Sequence, residues 1–193
     1  MRPETANPGK VKGVKESAMN GYAEAQNWPH GVRACLNIGC LAKQGAIAGI
    51  IAGISFAMFE MMAAWLMKGD FFGPLRMIGA MMLGEKALSP PYSLMTAGMV
   101  GMAIHMMLSL IYGVMFGALI TYIPSLAFSP ARLIGSAAVF GVVLWLVNFY
   151  LFAPLFGWNW FPQGTNPLVQ GFIGHTVFFG VVLGWYVKHR QSA

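Results

Sequence analysis

Charged residues are scarce in this chain. Asp, Glu, Lys and Arg make up 9% of its residues, against about 25% in an ordinary soluble domain. None of the four occurs between Lys86 and Arg132, or between Arg132 and Lys188. Each of these stretches is longer than the roughly 20 apolar residues that one membrane-crossing helix needs. A soluble globular fold is therefore excluded, and an all-α integral membrane protein is predicted.

Motifs of soluble enzymes are also missing. The sequence contains no Walker phosphate loop, no nucleophile elbow and no metal-binding cysteine cluster, so a non-catalytic role is expected. Its two cysteines, Cys35 and Cys40, are expected to be reduced thiols on the cytoplasmic side, with a structural or incidental role. The net charge of +6 lies mostly in basic flanks of the membrane segments, and no nucleic-acid-binding motif accompanies it.

Four apolar segments are predicted to cross the membrane as two antiparallel hairpins. They cover residues 44–67, 96–122, 133–153 and 167–187, and form one bundle from residue 44 to residue 187. Residues 1–43 are predicted to be a polar, basic tail, and residues 188–193 a short C-terminus. Aligning His105 with His175, and Glu60 with Asn148, suggests that the hairpins are a parallel repeat.

The distribution of Lys and Arg predicts that both termini are cytoplasmic. The tail, the middle loop at Arg132 and the C-terminus hold most of these residues, whereas the other two loops hold only Lys68, Arg76 and Lys86. In the first of these outer loops, the segment from Gly73 to Gly84 is too short to span and has apolar residues at helical spacing. An interfacial helix lying on the outer leaflet is predicted there.

Small residues recur every four positions in the first two spans. The stripes are Gly45, Gly49, Gly53 and Ala57 in span one, and Gly101, His105, Ser109, Gly113 and Gly117 in span two. Such stripes allow close approach of helix backbones in lipid. Glu60 continues the first stripe and His105 belongs to the second, so both are expected to face the bundle.

Ionisable residues inside the spans form the candidate site. Glu60 is the only acidic residue in any span, and His105 and His175 lie in spans two and four. The helical rise places these residues and Asn148 roughly 8 to 14 Å from the outer ends of their spans. The four side chains therefore form one predicted polar layer, and membrane-buried ionisable groups suggest function.

Three interpretations of this layer remain open. In the first it is structural: Glu60 pairs with His105, and His175 with Asn148. In the second, Glu60, His105 and His175 bind a metal such as copper or iron, or the two histidines hold a haem or a chlorophyll-type pigment. In the third the layer carries protons, although proline is confined to span ends and loops, so the broken helices typical of transporters are not expected.

Several motifs resemble a group of small four-span bacterial membrane proteins of unassigned function. They are the run from Gly73 to Ala80, Leu83-Gly84, Ser89-Pro90-Pro91, and His105-x-x-Leu108-Ser109-x-x-Tyr112-Gly113. Some members of the group carry a sodium:proline symporter label, but such symporters have many more spans than this chain can form. The resemblance covers about residues 45–187 and implies a bacterial inner-membrane protein without supplying a mechanism.

The function predicted from these features is that of a non-catalytic accessory or assembly subunit of a larger membrane complex. Its expected partners are membrane lipids and other membrane-protein subunits. A metal-, haem- or chlorophyll-binding subunit and a small proton-linked transporter are the alternatives.

Overall fold

The computed structural model describes residues 38–127, 129–161 and 165–192. Within these ranges the regular structure is helical, as the sequence predicts. The α-helices are Ile38–Lys68, Gly73–Leu83, Leu94–Tyr122, Pro130–Leu146, Ala153–Leu155, Thr165–Ile173 and Val182–Ser192. Short 3₁₀ helices cover Glu85–Leu88 and Pro124–Ala127, and π-helical segments cover Val147–Phe152 and Gly174–Val181. Most of the predicted polar tail lies outside the described residues.

Four helical stretches are long and apolar enough to cross a membrane. They are Gly39–Lys68, Leu94–Tyr122, Pro130–Leu155 and Leu168–Arg190, and are called spans one to four below. These spans confirm the prediction of a four-span helical membrane protein. Most of them extend a few residues past the predicted bounds, because a helix continues beyond its apolar part into the polar residues that flank it.

Local sequence determines where spans one to three begin or end. Span two begins after Ser93, whose hydroxyl accepts a hydrogen bond from the Thr96 backbone N–H at 3.3 Å. Ser129 caps span three in the same way, and Pro130 follows at the first helical position, where no N–H is needed. Span one is followed by Gly69, whose φ of 69° is unfavourable for residues with a side chain.

The small-residue stripes of spans one and two pack against each other. A Cβ added to Gly45 would overlap the carbonyl oxygen of Gly113, and one added to Gly49 would overlap the backbone of Ser109. Residues further along span one face residues earlier in span two, so the two helices run in opposite directions. Close backbone packing of this kind stabilises helix pairs in lipid.

Spans three and four pack in a similar way. A Cβ on Gly180 would meet the backbone of Ala137 and Ala138, and one on Gly141 would overlap the carbonyl oxygen of His175. These two helices also run in opposite directions. Phe116 of span two and Phe179 of span four, 0% and 2% exposed, belong to the core that joins the two pairs.

The helix Gly73–Leu83, called the loop helix below, packs along the start of span two. Gly79 lies against Ala97, and Gly101 lies against the carbonyl group of Leu75. Arg76 donates hydrogen bonds to the carbonyl oxygens of Ala87 and Leu88, which holds the 3₁₀ turn against this helix. The helix forms where the sequence predicts it, and its placement in the outer leaflet stays a prediction.

Spans three and four depart from the regular α-helices expected from the sequence. Each contains a π-helical segment, and these segments include Asn148 and His175. At the end of the first, the Ala153 backbone N–H donates to the carbonyl oxygen of Asn148, five residues earlier. A π-helical turn inserts a residue into the helical register and is frequent at functional sites. Asn148 and His175 therefore both lie on irregular backbone.

The Cys40 sulfur is disulfide-bonded, so the expectation of a reduced thiol is wrong for this residue. Cys35 lies outside the described residues. Disulfides persist in oxidising compartments. The Cys40 disulfide therefore favours the oxidising side of the membrane for the start of span one. The distribution of Lys and Arg favours the cytoplasmic side.

Candidate functional site

A cavity of about 670 Å³ lies between the four spans and the loop helix. Most of its wall is apolar, and many of the lining side chains are aromatic. Its polar wall residues within the spans are Glu60, His105, Ser109, Tyr112, Asn148, Gln170 and His175. Lys68, Asp70 and Arg76, near the end of span one, also line it. The four residues of the predicted polar layer thus surround one cavity.

Glu60 forms its hydrogen bond with span four. The side-chain amide of Gln170 donates to Glu60 Oε2 at 2.7 Å. The other carboxyl oxygen, Oε1, is buried and has no hydrogen-bond partner among the described residues. It lies beside Gly174, because a Cβ added there would be 2.6 Å from it. The predicted pair between Glu60 and His105 is therefore not formed, since Glu60 accepts from Gln170 and His105 donates to the Gly53 backbone.

His105 forms its hydrogen bond with the backbone of span one. Its Nε2 lies 2.9 Å from the carbonyl oxygen of Gly53. A carbonyl oxygen can only accept, so Nε2 carries the proton. The side chain is 7% exposed, as expected for a member of the small-residue stripe. Gly53 has no side chain, which leaves room for Ser109, because a Cβ there would overlap the Ser109 side chain.

Asn148 connects spans two, three and four. Its Oδ1 accepts a hydrogen bond from the Tyr112 hydroxyl at 2.9 Å, and its Nδ2 lies 3.3 Å from His175 Nε2. His175 Nδ1 lies 2.8 Å from the Gly171 carbonyl oxygen and donates to it, so Nε2 is the acceptor for the Asn148 amide. The predicted pair of His175 and Asn148 is thus formed, and Tyr112 extends it to span two.

The Phe56 ring contacts both histidines. Its ring centroid lies 5.5 Å from that of His105 and 4.5 Å from that of His175, with an edge-to-face arrangement toward His175. The Phe149 ring also contacts His175, with its centroid 6.0 Å from that of the imidazole. His175 is therefore in contact with two aromatic rings, and His105 with one, in addition to their hydrogen bonds.

Metal-binding geometry is not assembled in the described part of the chain. No group of three or more His, Cys, Asp and Glu side chains there is placed to hold a metal ion. Glu60, His105 and His175 line the same cavity, but each is bonded to a different partner. Their assignment as metal ligands, and that of the histidines as haem or pigment ligands, stays a prediction.

Two residues of the hydrogen-bonded network were missed by sequence reasoning. Gln170 and Tyr112 supply the donors for Glu60 and Asn148. The sequence did indicate Gln170, because a side-chain amide within a predicted span needs a hydrogen-bond partner as much as a histidine does. Tyr112 carries no such signal, because tyrosine is common at the ends of spans and packs readily as an aromatic residue.

The chain was compared with protein-family models, curated proteins and solved structures, and no match was found in any of the three. The resemblance to small four-span bacterial membrane proteins therefore stays a prediction.

Proposed function

We propose that this chain is a non-catalytic accessory or assembly subunit of a larger protein complex in the bacterial inner membrane. The proposal rests on the hydrogen bonds that the buried polar side chains form between helices. Gln170 joins Glu60 across spans four and one, Tyr112 joins Asn148 across spans two and three, and His105 joins the backbone of span one. Hydrogen bonds between helices of this kind fit a scaffold, since they hold all four spans together.

Span three offers the surface on which a partner could pack. Only 17% of its most apolar stretch is buried within the chain, against 33% to 39% for the other three spans. Its outward face carries Val139, Val143 and Leu146, which are 63%, 47% and 46% exposed. We propose that a helix of another subunit covers part of this face, and that lipid covers the rest.

Purification of the full chain from its native membrane in a mild detergent tests the proposal. We expect a second membrane protein to accompany it at constant ratio on a native gel, with mass spectrometry identifying the partner. The Val143→Trp variant places a bulky ring on the proposed contact face and should release the partner. Ile54→Trp is the matched control, because Ile54 is 53% exposed on span one.

Two outcomes would contradict the subunit proposal. One is a wild-type chain that migrates alone or only with copies of itself after gentle extraction. The other is equal loss of the partner in Val143→Trp and Ile54→Trp, which would show a general effect of bulky residues on the bundle and no preference for span three.

A metal-, haem- or chlorophyll-binding role is the second candidate. It is supported by the position of Glu60, His105 and His175 on the wall of one cavity. Metal analysis and an absorption spectrum of the native complex test it. Stoichiometric copper or iron, or a Soret band, that disappears in His105→Ala would favour this role. A metal-free and colourless complex whose His105→Ala variant only loses its partner would favour the accessory role.

A further inference from the structure

We infer that the cavity between the four spans binds one lipophilic cation, an apolar aromatic or alkyl molecule that carries a single positive charge. The inference does not depend on the accessory role, because it concerns the interior of the bundle and not its outer surface. It rests on the volume of the cavity, on the material of its walls and on the charges along it.

The volume and walls of the cavity fit a small molecule. Ligand sites in proteins commonly measure about 300 to 1,000 Å³ and have mainly apolar walls with a few polar groups. This cavity, of about 670 Å³, lies within that range. Phe56, Phe149, Phe161 and Phe179 are among its lining residues. The faces of aromatic rings attract cations as well as apolar groups.

Glu60 is the only acidic side chain among the described lining residues that lie within a span. Its hydrogen-bond donor, the Gln170 side chain, is a neutral amide, and Oε1 has no hydrogen-bond partner among the described residues. A buried carboxylate is costly unless an opposite charge compensates it. A ligand cation would provide that charge, and its contact with the Phe56 ring next to Glu60 would add to the attraction.

Of the other charges along the cavity, only that of Arg76 opposes a cation among the described residues. Lys68 and Asp70 are exposed and of opposite sign, so solvent screens them and they largely cancel. Arg76 stays positively charged, and its hydrogen bonds to the carbonyl oxygens of Ala87 and Leu88 hold the guanidinium group at the 3₁₀ turn after the loop helix. His105 and His175 each donate a hydrogen bond from one ring nitrogen to a backbone carbonyl oxygen. The second ring nitrogen of His175 accepts from the Asn148 amide. Selectivity for a cation therefore depends on Glu60.

Two probes of the same shape and opposite charge test the inference. Tetraphenylphosphonium is an aromatic cation, and tetraphenylborate is its anionic counterpart. Binding of each to the purified full chain in lipid nanodiscs is measured by equilibrium dialysis, with empty nanodiscs as the blank. We expect saturable binding of the cation at one site per chain, at least tenfold tighter than that of the anion, because an ion pair in a partly dry site is stronger than one in water. This comparison needs no variant.

Variants locate the site. Glu60→Gln keeps the size of the side chain and should weaken cation binding by roughly tenfold or more, whereas Glu85→Gln, outside the lining residues, should leave it unchanged. Ala64→Phe adds a ring to the cavity wall and should abolish binding. Ala103→Phe adds the same ring on the exposed side of span two and should have no effect. Circular dichroism and gel filtration establish that each variant is folded.

Four results with the charged probes and the variants would overturn the inference. They are equal or tighter binding of tetraphenylborate, no saturable binding of either probe, unchanged cation binding in folded Glu60→Gln, and unchanged binding in folded Ala64→Phe. Equal affinity for the neutral analogue triphenylphosphine oxide would also overturn it, because the cavity would then select an apolar body without regard to charge.

Discussion

Glu60 and Gln170 join two helices that are distant in sequence. The hydrogen bond between them is 2.7 Å long and ties the middle of span one to the start of span four. Few other polar groups are within reach of either side chain inside an apolar bundle, so the pair contributes to the choice of neighbouring helix as well as to stability.

A double-mutant cycle measures this contribution. We expect Glu60→Leu and Gln170→Leu to be coupled by about 0.6 to 1.7 kcal/mol, the range found for hydrogen bonds between membrane helices. Unfolding of the purified protein in mixed micelles with increasing denaturing detergent gives the free energies. The control cycle combines Glu60→Leu with Ser136→Ala. Ser136 bonds only within its own helix, to Leu133, and its effect should be additive. Additivity in the first cycle would contradict the proposed role of the pair.

Asn148 satisfies two partners at once, the Tyr112 hydroxyl and His175. We therefore expect Asn148→Leu to destabilise the protein more than Tyr112→Phe does, because it leaves both partners unpaired. Tyr112→Phe should cost about 0.6 to 1.7 kcal/mol in the same unfolding experiment. Tyr150→Phe, in a side chain that is 55% exposed, is the matched control and should be neutral. An equal effect of the two tyrosine variants would indicate that the Asn148 contact contributes nothing.

At the scale of elements, backbone contact between spans one and two requires glycine at particular positions. A Cβ on Gly113 would lie 2.7 Å from the Cα of Gly49 and overlap the carbonyl oxygen of Gly45. Neither backbone can move aside without separating the two helices. Gly98, in the same helix, has open space where its Cβ would be.

These two glycines therefore make a matched pair of variants. We expect Gly113→Ala to destabilise the protein by about 1 to 3 kcal/mol through overpacking. Gly98→Ala should be neutral or stabilise it by up to about 1 kcal/mol, because alanine favours the helix. Detergent-induced unfolding is again the measurement. A tolerated Gly113→Ala would show that spans one and two do not pack through this stripe.

The whole molecule has two features that indicate opposite orientations. Lys and Arg are concentrated in the tail, at Arg132 and at the C-terminus, which predicts cytoplasmic termini. The disulfide bond of Cys40 favours an oxidising compartment for the start of span one. We expect the distribution of Lys and Arg to determine the orientation of the chain, because it acts during membrane insertion, before a disulfide can form.

Reporter fusions at the C-terminus measure the orientation. Green fluorescent protein fused after Ala193 should be fluorescent in bacterial cells, and alkaline phosphatase at the same position should be inactive, since it needs the oxidising periplasm. Fusions truncated after Lys86, in the first loop, are the internal control and should give the reverse result. Active phosphatase after Ala193 together with inactive phosphatase after Lys86 would contradict the predicted orientation.

The number of spans and the inward side of spans one and two could be predicted from the sequence. Long uncharged stretches are a local property, and lipid selects them as helices whatever the neighbouring segments do. The glycine stripe containing Gly45, Gly49 and Gly53 is also visible along one segment, and these residues are buried where the stripe predicts. Counting residues alone predicted one layer for His105 and Glu60, and both line the same cavity.

Only the tertiary structure determined which polar groups meet. Glu60 and His105 are on helices that pack tightly together, so their pairing was the natural expectation, yet the carboxyl group accepts from Gln170 and the imidazole donates to the Gly53 backbone. The π-helical segments that contain Asn148 and His175 were not predicted, because no pattern in the sequence marks them. The sequence by itself thus determined the position of each buried group along its helix, because that position is a local property. Its partner depended on which helices are neighbours and how they are rotated.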